Sequence, residues 1–153
     1  MSIASVDNYI TNLEIYKEIK KNICNGIQII HGESGIGKTL LASIIFKENH
    51  IDALEFNATS KKSIKTINEK INDFLGNKSF DKIKAIFFDE FEIFVQEHIG
   101  INSILDTLSK YVNKHPIIIC TNSFCLSKIE KYKKNKINFY KIPLPSKKYI
   151  INL

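Results

Sequence analysis

Short apolar runs alternate along the chain with longer stretches in which apolar residues recur every three or four positions, a pattern that predicts strands interleaved with helices. Residues 5–24 carry Val6, Ile10, Leu13, Tyr16, Ile19 and Ile23 at mostly helical spacing, with Lys17, Lys20 and Lys21 between them. Asn25-Gly26 marks a turn, and Ile27-Gln28-Ile29-Ile30-His31 follows as a first buried strand. Residues 40–46 are apolar nearly all round, as a helix packed on a sheet should be. Residues 53–57 form a second strand candidate. A helix beginning near Ser60-Lys61-Lys62-Ser63 then carries Ile64, Ile67, Ile71, Phe74 and Leu75 and ends near Gly76. Residues 84–90 are the third strand, and Ile101, Ile104, Leu105, Leu108 and Val112 define a helix that His115-Pro116 breaks. Residues 117–121 form the fourth strand, 126–134 a lysine-rich helix and 137–142 the fifth strand, which Pro143-Leu144-Pro145 ends before a last helix from Ser146. Such alternation implies a three-layer αβα, doubly wound parallel sheet with right-handed crossovers.

Between the first strand and the helix after it lies Gly32-Glu33-Ser34-Gly35-Ile36-Gly37-Lys38-Thr39, which fits the phosphate-loop pattern GxxxxGK[ST] at all four fixed positions. Glycines let backbone N–H groups turn inward and approach a polyphosphate. Lys38 would supply a point charge to the β and γ phosphates, Thr39 a hydroxyl to Mg²⁺, and the helix opening at Leu40 its positive end. A Gly-rich turn before an ordinary helix is the plainer alternative, but strand, loop and helix stand in the order the phosphate pattern requires.

The third strand buries four apolar residues and then presents Asp89-Glu90 at its C-terminal end, the edge where open α/β sheets bind ligands. Asp89 is placed to hold Mg²⁺ together with Thr39, and Glu90 to orient and deprotonate a water for attack on a γ phosphate. Asn122 follows the fourth strand at the same edge. Its amide could hold that water or touch the γ phosphate, and equally Asn after a strand is a common turn residue.

Composition narrows the chemistry. The chain has 153 residues, enough for one domain with a real core, and 44% of them are hydrophobic. No apolar run approaches a membrane span and no basic-then-apolar leader opens the chain, so an intracellular location is expected. Cys24, Cys120 and Cys125 lack the spacing of a disulfide framework or zinc site. The net charge of +6 arises from 22 basic and 16 acidic residues, and all 22 are lysine. Without arginine the chain has no bidentate guanidinium for a phosphate, its own or a neighbour's. Lys61, Lys62 and Lys65 near a helix start suit a nucleic-acid backbone, or form a solvated lysine face.

These residues resemble the AAA+ ATPases, and within them the clamp-loader subunits of the replication factor C type, most of all the large subunit. Gly32 to Thr39 is similar to Walker A, Phe87-Phe88-Asp89-Glu90 to Walker B, and Thr121-Asn122 to sensor 1. Glu55-Phe56-Asn57-Ala58-Thr59-Ser60-Lys61-Lys62 is similar to the clamp-loader stretch Glu-x-Asn-Ala-Ser-Asp followed by a basic residue. The resemblance implies a nucleotide-binding domain over 1–145, sheet order 5-1-4-3-2, Val6, Tyr9 and Ile10 near the adenine, and 146–153 as the start of a truncated lid helix without the collar. It also implies ATP and Mg²⁺, hydrolysis that couples to loading a sliding clamp on DNA, and other AAA+ subunits as partners. This chain departs from it in reading Gly-Glu-Ser-Gly where clamp loaders show Gly-Pro-Pro-Gly, and in lacking the Ser-Arg-Cys finger motif after Asn122. Slow turnover in isolation, with a finger supplied in trans, is therefore expected. The other readings are a nucleotide-dependent scaffold with little hydrolysis, or an initiator or helicase-loader ATPase. A P-loop nucleotide kinase is disfavoured because such enzymes clamp phosphates with lid arginines.

Overall fold

A computed structural model describes residues 12–33, 35–60, 63–77, 81–94 and 100–143. They form ten regular elements: α1 (Leu13–Lys21), β1 (Ile27–His31), α2 (Lys38–Glu48), β2 (Ile51–Phe56), α3 (Ile64–Gly76), β3 (Ile83–Phe88), α4 (Gly100–Ser109), β4 (Ile117–Thr121), α5 (Leu126–Glu130) and β5 (Ile137–Lys141). The five strands make one sheet in the order β2-β3-β4-β1-β5, parallel at every junction, as the resemblance implied. The expected helical stretch before Asn12 and the helix from Ser146 lie outside the described residues.

Successive strand residues face opposite sides, and both sides are covered, so the central strands read as unbroken apolar runs. Ile27, Ile29, Ile86, Phe88, Ile117 and Ile119 pack under α3, α4 and α5. Ile30, Ala85, Phe87, Ile118 and Cys120 pack under α1 and α2. Gln28 is the polar exception in β1, fully buried yet satisfied: its Nε2 donates to the Asn22 carbonyl at 2.6 Å and its Oε1 accepts from Tyr140 at 2.7 Å. This side chain ties the α1–β1 turn to β5, whose ladder with β1 pairs Gln28 with Asn138.

Several boundaries differ from expectation: β3 ends at Phe88, so Asp89 and Glu90 follow the strand and do not belong to it, and α4 ends at Ser109, before Val112. β2 begins at Ile51, where Ile51 pairs with Ile83 and Asp52 with Lys84 across the edge ladder. α3 starts later than Ser60, with Ser63 as its N-cap accepting from the Thr66 N–H at 3.2 Å. The lysine-rich helix stops at Glu130, not near Lys134. Tyr132 explains the stop: it is buried, and its hydroxyl meets Asp106 at 2.9 Å and Ser109 at 2.6 Å on α4, which draws the chain inward before another turn can form.

Because β3, β4 and β1 are neighbours, their C-terminal tips present Asp89, Asn122 and Gly32 along one edge. Among the described residues no helix is long and apolar enough to cross a membrane.

Candidate nucleotide-binding site

β1 ends at His31 and hands the chain directly to the loop. Gly32 is buried with φ +152°, and a Cβ there would collide with the Ile36 Cδ1 and meet the Ile142 carbonyl at 3.0 Å, so only glycine fits. Gly37, at φ +92°, is the N-cap of α2, while Gly35, at φ +78°, has open space where a Cβ would stand. The loop thus turns on left-handed glycines and ends on a helix N-terminus, the two features that make an anion cradle.

Lys38 is the first residue of α2 and arches back over the loop, donating from Nζ to the Gly32 carbonyl at 2.6 Å and the Glu33 carbonyl at 3.2 Å. Thr39 reaches past β4, the strand between β1 and β3, to the residue that follows β3: its hydroxyl lies 2.9 Å from Asp89 Oδ1 and 3.0 Å from Oδ2. Asp89 is itself fixed, its N–H donating to the Phe56 carbonyl at 2.8 Å and its Oδ1 accepting from the Glu90 N–H at 3.0 Å. A hydroxyl and a carboxylate in contact beside a lysine form an all-oxygen donor set of the kind Mg²⁺ prefers.

Glu90 is exposed and holds left-handed backbone angles, φ 52° and ψ 50°. A non-glycine residue is strained in that conformation, and the surrounding structure must hold it there. The short helical turn Phe91–Ile93 does so by burying Phe91 and the following Phe94 against Phe88, with ring centroids 5.3 and 5.5 Å apart.

Asn122 lies at the tip of β4, where its Oδ1 accepts from the Phe124 N–H at 3.1 Å, the turn-residue geometry anticipated as one of its two readings. Beneath the loop, burial holds the His31 imidazole below its ordinary pKa, with the charges of Lys141 and Lys38 acting the same way, so it is neutral at pH 7. Burial likewise pushes the Cys120 thiol well up, making it unreactive. A cavity of about 630 Å³ opens beside the loop, lined by Gly32, Glu33, Asn122, Phe124, Lys141 and Ile142 among others.

Of the sequence-predicted residues, the described part of the loop, with Thr39, Asp89, Glu90 and Asn122, gathers at one sheet edge. Leu40 follows half-buried in the first turn of α2, and Lys65 is exposed in the first turn of α3. Val6, Ile10, Ser34, Lys61 and Lys62 lie outside the described residues. Sequence reasoning missed Glu92, whose Oε2 accepts from the Thr121 hydroxyl at 3.3 Å and the Asn122 N–H at 3.4 Å. Its only signal was a third acid in Asp89-Glu90-Phe91-Glu92.

Residues 28–137, well over half of the chain, match the model of the ATPase family associated with various cellular activities (AAA). The chain belongs to the AAA family of ATPases. Two curated relatives match it over part of their length. Replication factor C subunit 1 of Drosophila melanogaster is 30% identical over 81 residues, which is 53% of this chain and 8% of that protein. Chromosome transmission fidelity protein 18 of Saccharomyces cerevisiae is 38% identical over 55 residues, 36% of this chain and 7% of that protein. The matched stretch therefore spans less than a tenth of either relative. In fold, this AAA chain is similar to the Aeropyrum pernix ORC1 protein solved in complex with DNA, with a TM-score of 0.62 at 12% identity over 88% of this chain and 46% of that one.

Proposed function

We propose that the chain is an ATP-binding and ATP-hydrolysing AAA+ subunit of clamp-loader type, acting inside the cell in DNA replication. The observation that carries the reading is the Thr39–Asp89 contact beside the Lys38 arch, which puts one cation, one hydroxyl and one carboxylate around the place a nucleoside triphosphate would occupy. Gly32 to Thr39 would cradle the β and γ phosphates, with Leu40 in the first turn behind them, and Val6 and Ile10 would flank the adenine. Thr39 and Asp89 would hold Mg²⁺, which when bound neutralises phosphate oxygens. Glu90 orients and deprotonates the attacking water, and Asn122 supplies the sensor amide from its remaining nitrogen. The domain would occupy 1–145, with 146–153 starting a lid.

Similarity to replication factor C subunit 1 supports a replication-factor role, and the coupling to a sliding clamp and to other AAA+ subunits extends the clamp-loader resemblance of the sequence. What this chain lacks is arginine. Related phosphoryl-transfer enzymes gain roughly 10³ to 10⁵ in rate from an arginine finger, so a neighbouring subunit must bring one. The test is single-turnover hydrolysis of radiolabelled ATP by the chain alone and then with clamp-loader small subunits and primed DNA. Slow hydrolysis alone, rising about 10³-fold or more on assembly, is the expected result. Fast hydrolysis by the isolated chain, indifferent to partners and DNA, would sink the proposal.

Lys61, Lys62 and Lys65 would follow the DNA backbone. Changing all three to alanine should flatten the dependence of log affinity on log salt by about 0.9 for each phosphate no longer neutralised, measured by fluorescence anisotropy on duplex DNA. An unchanged slope leaves these lysines as a solvated face.

The scaffold alternative has one observation in its favour: the Asn122 side-chain oxygen is already engaged with Phe124. Hydrolysis that stays negligible with every partner present would select it.

A further inference from the structure

The β3–β4 ladder ends with Phe88 opposite Ile119, whereas on its other side β4 continues to pair with β1 as far as Thr121 opposite His31. Beyond Ile119 the tip of β4 therefore runs on without β3 beside it, and the tip of β3 has turned away into the strained Glu90 and the Phe91–Ile93 turn. Backbone donors at such a gap need another acceptor. Glu92 provides it: from the middle of that turn its Oε2 reaches both the Thr121 hydroxyl and the Asn122 N–H.

We propose that Glu92 is a positioning residue for hydrolysis, a carboxylate strut that sets Asn122 and Glu90 at a fixed separation across the opening between β3 and β4. The inference rests on the ATPase reading above. Its anchor is rigid, because the turn is pinned by buried Phe91 and Phe94 and closed by the Ile93 N–H on the Glu90 carbonyl at 3.0 Å and the Phe94 N–H on the Phe91 carbonyl at 2.9 Å. Its far end is equally specific. With the Asn122 N–H held by Glu92 and the Asn122 Oδ1 held by the Phe124 N–H, the residue is fixed at two points, and its Nδ2 is the group left to donate toward the cavity that Asn122 lines with Gly32. Glu90 is held at the other end of the same turn. A shift of the β4 tip thus moves the base and the sensor amide together, and a broken strut lets them drift apart. Since Glu92 hydrogen-bonds neither the phosphate loop nor Asp89 among the described residues, its removal should affect the chemical step and spare binding.

Glu92→Ala, Glu92→Gln, Thr121→Val and the Glu92→Ala/Thr121→Val double variant of the full chain would be compared in single-turnover Mg-ATP hydrolysis, in titration with a fluorescent ATP analogue, and in thermal melting. Glu92→Ala should hydrolyse about tenfold more slowly, the effect expected for hydrogen bonds to a charged group, with nucleotide affinity within about twofold. Glu92→Gln keeps an acceptor oxygen and should recover most of the rate. Thr121→Val keeps the volume and should be slowed less than Glu92→Ala, and the double variant should be no slower than Glu92→Ala alone. Hydrolysis at the unaltered rate in Glu92→Ala overturns the strut, as does a Glu92→Gln as slow as the alanine variant. Parallel losses of rate, affinity and melting temperature in both Glu92→Ala and Thr121→Val overturn it too, because they mark a general structural role. Failure of the unaltered chain to bind Mg-ATP overturns both inferences and places the fault in the nucleotide reading.

Discussion

Lys38→Ala should weaken Mg-ATP binding by about 10- to 100-fold, the loss expected when a hydrogen-bonded charge is removed from an anion site. The Nζ group lies within hydrogen-bonding reach of two carbonyls of its own loop, Gly32 at 2.6 Å and Glu33 at 3.2 Å, so the ammonium sits over the cradle with no salt bridge to an acid among the described residues. A polyphosphate entering the loop would exchange those neutral acceptors for anionic oxygens, and that exchange is what alanine forfeits. Folding should be almost indifferent. Lys38 is the first residue of α2, where alanine is a good helix former, and among the described residues its Nζ bonds to loop carbonyls and not to a buried acid. Lys38→Arg should not restore binding, because a planar fork on a longer stem does not replace a compact ammonium inside a tight loop. Titration with a fluorescent ATP analogue, alongside circular dichroism melting, checks both statements. Unchanged affinity in Lys38→Ala would remove the phosphate loop from the function.

The loop is legible in the sequence because its constraints are local. Gly32, Gly35 and Gly37 are separated by two and one residues and each takes a positive φ, so the pattern of residue types already encodes the turn. The sheet is legible for a similar reason: strands covered on both faces are written as runs such as Ile117-Ile118-Ile119, and the intervening three-and-four spacing marks the covering helices. Strand order is not local, and came only with the family resemblance.

What stays hidden is whatever depends on partners distant in sequence. Glu92 and Asn122 are 30 residues apart and meet only because β3 and β4 are adjacent while their ladder stops short. Gln28 reads as an oddity in an apolar run until Tyr140, on β5, is found to donate to it. The lysine-rich helix follows local propensity as far as Glu130 and then yields to Tyr132, whose contacts on α4 outweigh one more helical turn. Asn122 shows the turn-residue geometry through its oxygen, and whether its nitrogen also serves the proposed sensor role is a question that no count of neighbours in the chain could decide.

Glu90→Gln should leave ATP binding intact and slow hydrolysis by about 10² to 10⁴, the usual contribution of a positioned general base. The amide matches the carboxylate in shape and is exposed at the same turn, so the buried Phe91 and Phe94 that hold the backbone are untouched. What would disappear is the proposed ability to take a proton from water, and the comparison therefore isolates chemistry from binding. A second substitution at this position separates chemistry from strain. Glycine adopts φ 52° without a Cβ penalty, so Glu90→Gly should relieve strain of about 1 kcal/mol, offset in part by its greater freedom when unfolded. Glu90→Gly should consequently melt no lower than the unaltered chain and still hydrolyse ATP as poorly as Glu90→Gln. That combination would mean the left-handed backbone is retained for the side chain it presents at the sheet edge. A Glu90→Gln variant that turns over ATP at the unaltered rate in the assembled complex would instead move the base elsewhere, and leave the strain at Glu90 without a catalytic reason.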